Sequence, residues 1–189
     1  VSLDVMPGEI VGIIGSNGSG KSTLLRTMAG IYEPDRGTID ARGRIISIIN
    51  LGTGLMERLP MRDNIFLIGS LFGMSHATVR ERFDSIVTFS GLAEFVDTKI
   101  YQFSAGMMQR LSFSIAIHAD PDILLLDEVF EVGDEDFRKK SSDRIKELAR
   151  SGACIVLVSH DIDLIKRNCA KVYEMRHGEL SLAQELPNI

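Results

Sequence analysis

Near the start of the chain, Gly15-Ser16-Asn17-Gly18-Ser19-Gly20-Lys21-Ser22 fits the pattern G-x-x-x-x-G-K-[ST] in full. Between a strand and a helix, such a loop is a phosphate cradle. Its glycines let the chain curl so that successive N–H groups point inward, and the positive end of the following helix adds a favourable field. Lys21 would supply a point charge for the β- and γ-phosphates of a nucleoside triphosphate. The Ser22 hydroxyl would ligate Mg²⁺, and Thr23 offers a hydrogen bond on the α-phosphate side. A flexible glycine loop with an incidental lysine is the bland alternative, and the order strand, loop, helix speaks against it.

Two further polar clusters follow short apolar runs. Ile123 to Leu126 runs into Asp127-Glu128, and Ile155 to Val158 runs into Ser159-His160-Asp161. Parallel strands would deliver both clusters to the sheet edge that carries the phosphate loop. There Asp127 would hold the Mg²⁺ shell through water, and Glu128 would orient and polarise an attacking water. The His160 imidazole N–H would reach a γ-phosphate. Taken singly, acids after a strand are more often a helix cap, and a lone histidine is usually incidental. Coupled to a phosphate loop upstream, they read as a set built for phosphate hydrolysis.

The elements needed to position these groups are visible in the pattern of apolar residues. Ile10 to Ile14, Ile45 to Ile49, Ile123 to Leu126 and Ile155 to Val158 are continuous apolar runs, as expected of strands buried on both faces of a parallel sheet. Phe137, Ser141, Ile145 and Leu148 recur at helical spacing, so an amphipathic helix precedes the last of these runs. The alternation is that of an α/β fold. From about Leu59 to Phe103 the pattern is helical throughout, with Val79, Phe83, Ile86 and Val87 as one apolar stripe and Gly91 as its stop. Lys171 to Met175 and Glu179 to Leu182 flank His177-Gly178, a turn-prone pair that predicts a hairpin.

Composition sets the outer limits. A chain of 189 residues, 44% hydrophobic and 25% charged, suits one α/β domain with a sizeable core or one core with a small inserted lobe. No apolar run approaches the ~18–20 residues of a membrane-spanning helix, so work at a membrane would need a partner chain. A net charge of −5 argues against a nucleic-acid binder that relies on a broad basic surface. Cys154 and Cys169 read as buried, reduced core thiols in a reducing compartment. Val1-Ser2-Leu3-Asp4-Val5 reads as a strand already under way, which predicts a truncated N-terminus.

Taken in order, these motifs resemble the ATP-binding cassette (ABC) family, and the likeness covers nearly the whole chain. The order is phosphate loop, Asn50 in the glutamine-loop position, signature Phe103-Ser104-Ala105-Gly106-Met107 followed by Arg110, acidic strand end, Val132-Gly133-Asp134 as the D-loop, and His160. The resemblance implies a P-loop NTPase (RecA-like) parallel-sheet core, residues 1–58 and 106–189, with an inserted all-helical subdomain, residues 59–105, carrying the signature at its end. It implies ATP and Mg²⁺ as ligands, with Asn50 joining Ser22 and Asp127 at the metal. It also implies a head-to-tail dimer in which a second copy offers Ser104, Ala105, Gly106, Met107 and Asp134 across each sandwiched nucleotide. Ser104 and Gly106 suit that task through a hydroxyl, close backbone approach and a helix beginning near Met107.

A narrower likeness lies in Asn50-Leu51-Gly52-Thr53-Gly54-Leu55, Met61-Arg62-Asp63-Asn64-Ile65, Phe103-Ser104-Ala105-Gly106-Met107, Ile117-His118-Ala119-Asp120-Pro121-Asp122 and Asp127-Glu128-Val129-Phe130-Glu131-Val132-Gly133-Asp134. These look like the cassettes that export capsule polysaccharide, O-antigen or teichoic acid. That implies a peripheral subunit on the cytoplasmic face of the inner (plasma) membrane, driving a separate membrane permease through contacts around Asn50 to Asn64. Four positions depart from the general family: Asn50 for Gln or Glu, with shorter reach, Ala105 and Met107 for Gly and Gln, and Glu131 where small residues are commoner. The adenine-stacking aromatic of the family lies upstream of the phosphate loop, and no Tyr or Phe precedes Gly15. A soluble cassette acting on DNA or ribosomes is the alternative, and a P-loop kinase leaves the signature and His160 without a task.

Overall fold

The computed structural model describes residues 1–49, 54–127 and 134–185. Strands β1 (Ile10–Ile14), β2 (Ile45–Ile48), β3 (Ile123–Asp127), β4 (Cys154–Val158), β5 (Lys171–Arg176) and β6 (Glu179–Glu185) form one sheet in the order β2-β3-β4-β1-β5-β6. All pairings are parallel except β5 with β6. The helices are α1 (Lys21–Met28), α2 (Met61–Leu71), α3 (His76–Ser90), α4 (Ala105–Ile117), α5 (Glu135–Arg150) and α6 (Ile162–Asn168).

Residue parity sorts the core into two layers, because successive strand side chains point to opposite faces. On one face Leu124, Leu126, Ile155 and Leu157 meet Leu111 and Phe113 of α4, Phe137, Ile145 and Leu148 of α5, and Ile165 of α6. On the other, Ile13, Leu125, Val156, Val158 and Met175 pack with Leu24, Leu25 and Met28 of α1. Both faces are therefore covered, which is why the strands carry unbroken apolar runs.

The helices stop and start where local chemistry directs. Ser75 caps α3 through a 3.1 Å bond from the Thr78 N–H, and Gly91 ends it at φ 69°. Asp134 caps α5 by accepting from the Phe137 N–H at 2.8 Å, with Glu135 and Asp136 in the first turn. The same carboxylate accepts from Arg110 of α4 at 2.7 Å, while the Arg110 guanidinium lies 5.0 Å from the Phe137 ring centroid. Asp134 and Phe137 together thus fasten α5 to α4.

Three sequence expectations need correction. Val1 to Val5 is not a strand: no described backbone pairs with it in a ladder, although Leu3 and Val5 pack on the α1 face of the core. The helix expected near Met107 begins at Ala105, because Ser104 itself is the cap and accepts from the Met107 N–H at 3.2 Å. Cys154 is half-buried rather than buried, since it opens β4 at the end of the sheet opposite the phosphate loop, and its thiol donates to the Val5 carbonyl. Cys169 is buried as expected, and burial pushes its pKa up to about 12.

Two tests follow from this packing. A Cβ at Gly12 would overlap Ile165 Cγ2 and sit 3.0 Å from the Cys169 sulfur, so α6 rests directly on the backbone of β1. Gly12→Ala is expected to destabilise by about 1–3 kcal/mol through overpacking, seen as a lower urea midpoint with unchanged slope; an unchanged midpoint refutes the close approach. The Phe137 N–H and Arg110 both bond the Asp134 carboxylate and hold its pKa below the ordinary 3.8. A lowered carboxylate pKa stabilises the fold above the unfolded value, and the contribution disappears as pH falls through the folded one. Asp134→Asn should therefore lower the urea midpoint near neutral pH, with the gap to wild type closing below about pH 4. A gap independent of pH would remove the charge from the account.

Candidate functional site

The loop between β1 and α1 curls around its own lysine. Lys21 is 5% exposed, and its ammonium donates to the carbonyls of Gly15 at 2.8 Å and Ser16 at 3.0 Å. Ser16, Asn17 and Gly18 are exposed along the outer bow, Ser19 is buried, Ser22 is half-buried and Thr23 is exposed. Gly18 has φ 78° with nothing within 4 Å of where a Cβ would project, so conformation alone demands glycine there and the space above it is open.

The start of α1 differs from the starts of α3 to α6, and from that of α2, which follows Pro60 without a side-chain cap but carries Asp63 in its first turn. α3, α4, α5 and α6 each begin with a side chain that accepts a first-turn N–H, from Ser75, Ser104, Asp134 and Asp161. α1 has Gly20 at its cap position, so no side-chain cap, and carries no acid in its first turn. The positive end of α1 thus meets the Lys21 loop with no carboxylate of its own, an arrangement that favours an external anion.

Register brings the other groups to the same rim. Ile13 pairs with Val158, and Val158 pairs with Asp127, so one row across β1, β4 and β3 ends in Asp127. With strands about 4.8 Å apart, that row spans roughly 10 Å. Beyond it, Ser159 is 2% exposed, and its hydroxyl accepts from the Asp161 N–H at 2.9 Å. Asp161 in turn caps α6 by accepting from the Leu164 N–H at 3.0 Å. His160 is therefore exposed on a short connection fixed at both ends. Gly15 to Thr23, Asp127 and His160 share this edge. The chemistry available is that of a triphosphate site: an aimed cation, backbone donors, a hydroxyl and a carboxylate for a hard divalent ion, and an imidazole.

The signature residues belong to a different element. Ser104 and Ala105 are exposed at the start of α4, with Gly106 and Met107 half-buried behind them. α4 packs on α2, α3, α5 and β2, whereas α1 packs on β3. Asp134 is joined to α4 by Arg110, so the structure brings it together with the signature helix. Asn50, Glu128, Glu131, Val132 and Gly133 lie outside the described residues.

Two sets of positioning groups escaped the sequence reading. Asn64 is fully buried; its Oδ1 accepts from the Met56 N–H at 2.7 Å, and its Nδ2 donates to the carbonyls of Met56, Leu59 and Pro60. It shapes the turn leading into α2, and the available signal was an amide within an otherwise apolar stripe. The second is the tip of the β5–β6 hairpin, where the Gly178 N–H donates to the Ser19 carbonyl at 2.9 Å. That contact depends on strand order and leaves no local trace in sequence.

Comparison with known proteins agrees with this geometry. Residues 1–131 match the ABC transporter family. The chain is 46% identical to the O-antigen export system ATP-binding protein RfbB of Myxococcus xanthus over 89% of its own length, and 41% identical to the teichoic acids export ATP-binding protein TagH of Lactiplantibacillus plantarum over 95%. It spans 39% and 49% of those two proteins respectively. Among solved structures, an ATP-binding subunit of an ABC transporter superposes with a TM-score of 0.87 at 26% identity, covering 97% of this chain and 82% of that one. A dimeric ATP-binding cassette in a post-hydrolysis state with ADP and Pi superposes with a TM-score of 0.82 at 24% identity, covering 98% and 90%, and shares the fold. With the family matched over residues 1–131 and the phosphate loop, Asp127 and His160 aligned on one sheet edge, the chain belongs to the ABC transporter family.

Proposed function

We propose that this chain is the ATP-binding and ATP-hydrolysing cassette of an exporter that moves a lipid-linked polysaccharide through a separate membrane subunit. The observation that carries the nucleotide part is the uncapped start of α1 beside the buried, aimed ammonium of Lys21. The glycan part is supported by the names of the O-antigen and teichoic acid export relatives. No helix among the described residues is long and apolar enough to cross a membrane, which suits a peripheral subunit on the cytoplasmic face. The net charge of −5 and the same relatives speak against the alternative of a DNA- or ribosome-directed cassette.

In this reading residues 1–58 and 106–189 are the nucleotide-binding core and residues 59–105 the helical lobe. Lys21 and the backbone N–H groups of residues 16–20 bind the phosphates, and Thr23 bonds the α-phosphate side. Ser22 and Asp127 offer hard oxygen donors for Mg²⁺, with Asn50 as a third. Among the described residues no group of three or more His, Cys, Asp or Glu forms a metal cage by itself, so phosphate oxygens would complete the coordination, as Mg²⁺ prefers. Bound there, Mg²⁺ would neutralise charge that develops between the β- and γ-phosphates. Glu128 orients the attacking water and takes its proton, while His160 donates to the γ-phosphate. Ser104 to Met107, with Asp134 behind them, face the nucleotide of a second copy. ATP closes the pair, and hydrolysis and release reopen it.

Two substitutions test the reading. Lys21→Ala should abolish MgATP binding in a fluorescent-nucleotide titration, and retained affinity would reject the phosphate role. Glu128→Gln should bind MgATP as wild type does while phosphate release falls by about 10²–10⁴-fold, with ATP-dependent dimers accumulating in light scattering. Turnover at the wild-type rate would remove Glu128 from the mechanism.

A further inference from the structure

The phosphate loop has an underside, and protein fills it. A Cβ on Gly15 would overlap the Met175 carbonyl oxygen, and one on Gly20 would lie 2.9 Å from the Met175 methyl. The Gly178 N–H donates to the Ser19 carbonyl at 2.9 Å. Ser19 and Met175 are 5% and 4% exposed, so this contact is dry. Parallel pairing of Ile14 with Glu174 brings Gly15 and Met175 abreast at the end of that ladder. Beyond it, His177 and Gly178 turn the chain at φ 48° and φ 83°, the two left-handed residues of a tight hairpin turn.

We infer that the tip of the β5–β6 hairpin is the floor on which the phosphate loop is moulded, with Met175 and the Gly178 N–H as positioning groups for nucleotide binding. The inference rests on the nucleotide reading above and adds residues to which that reading gives no role. A glycine-rich segment has many conformations available, and fixing it in one costs more entropy than fixing any other sequence. Within the loop, the Ser19 N–H to Ser16 carbonyl bond and the two Lys21 bonds are too few to select a single curve. The hairpin supplies the missing constraint: a methyl beneath Gly20, a carbonyl beneath Gly15 and a hydrogen bond to the buried Ser19 carbonyl, which would otherwise be desolvated without a partner. A loop held in its bound shape binds more tightly, because less ordering remains to be done when the phosphates arrive.

The test compares MgATP affinity, by titration with a fluorescent nucleotide well below the unfolding temperature, across the wild-type chain and four variants. Met175→Ala should raise the Kd roughly tenfold, a size typical of small misplacements of binding groups. Met175→Leu, which conserves volume, should stay within about threefold of wild type. Val156→Ala removes a side chain from the same apolar cluster but from the middle of β4, and should lower the unfolding temperature without changing the Kd. One glycine inserted between His177 and Gly178 lengthens an exposed turn that tolerates it, displaces the Gly178 N–H, and should weaken binding severalfold. Wild-type affinity in both the insertion and Met175→Ala overturns the inference, as does Val156→Ala weakening binding as much as Met175→Ala. Failure of wild type itself to bind MgATP would instead reject the nucleotide reading.

Discussion

A lysine ammonium folded into the protein's own loop is the constraint around which the rest is arranged. Taking a charge out of water is unfavourable by several kcal/mol unless good partners meet it. For Lys21 those partners include two main-chain carbonyls, at 2.8 and 3.0 Å, held in place by the curl of the loop. Neutral carbonyls offset part of that desolvation, and an anion can offset the remainder. The same holds for α1, whose first turn has neither cap nor acid. Cation and helix end are both left electrostatically incomplete at one place, and a triphosphate completes both at once.

The sheet decides what else can stand at that place. Strand order β2-β3-β4-β1-β5-β6 puts β4 and β5 on either side of β1, so the chain leaves β1 toward one side and later returns on the other. Ligands bind where such a reversal opens a crevice at the carboxyl ends of the strands. Here the reversal also dictates the lining: β4 contributes the Ser159–Asp161 connection on one flank, and β5 contributes Met175 on the other. Gly12 allows the first, because only a residue without a Cβ lets α6 press against β1 and bring the Asp161 cap alongside.

Much of this was legible from residue types. The phosphate loop declares itself through spacing, and the core strands through apolar runs that a doubly covered sheet requires. Local signals fail where long-range geometry decides. Val1 to Val5 has strand-like composition but no ladder partner among the described residues. Ser104 looked like the approach to a helix three residues further on, yet its hydroxyl caps the first turn and draws the start back to Ala105. Gly15 reads as a glycine for phosphate approach, whereas the nearer reason is the Met175 carbonyl, which becomes visible only once β5 is paired to β1.

The site is therefore a product of contacts far apart in sequence, and this bears on how binding and folding are linked. The loop at 15–23, Asp127, His160 and the hairpin at 175–178 meet only after β1 has paired with both β4 and β5. The unfolded chain has no such convergence, so a nucleotide that recognises it binds the native state alone and stabilises the whole sheet by mass action. The stabilisation reaches β6 as well, since β6 is paired to β5 and the turn between them touches Ser19. Arg110 extends the same logic to the helices. By holding Asp134 at the start of α5 and resting on Phe137, it makes the exposed Ser104 end of α4 and the first turn of α5 parts of one packed unit. A displacement at the start of α5 would then be transmitted to α4 through packed side chains, which shift between discrete arrangements instead of deforming smoothly.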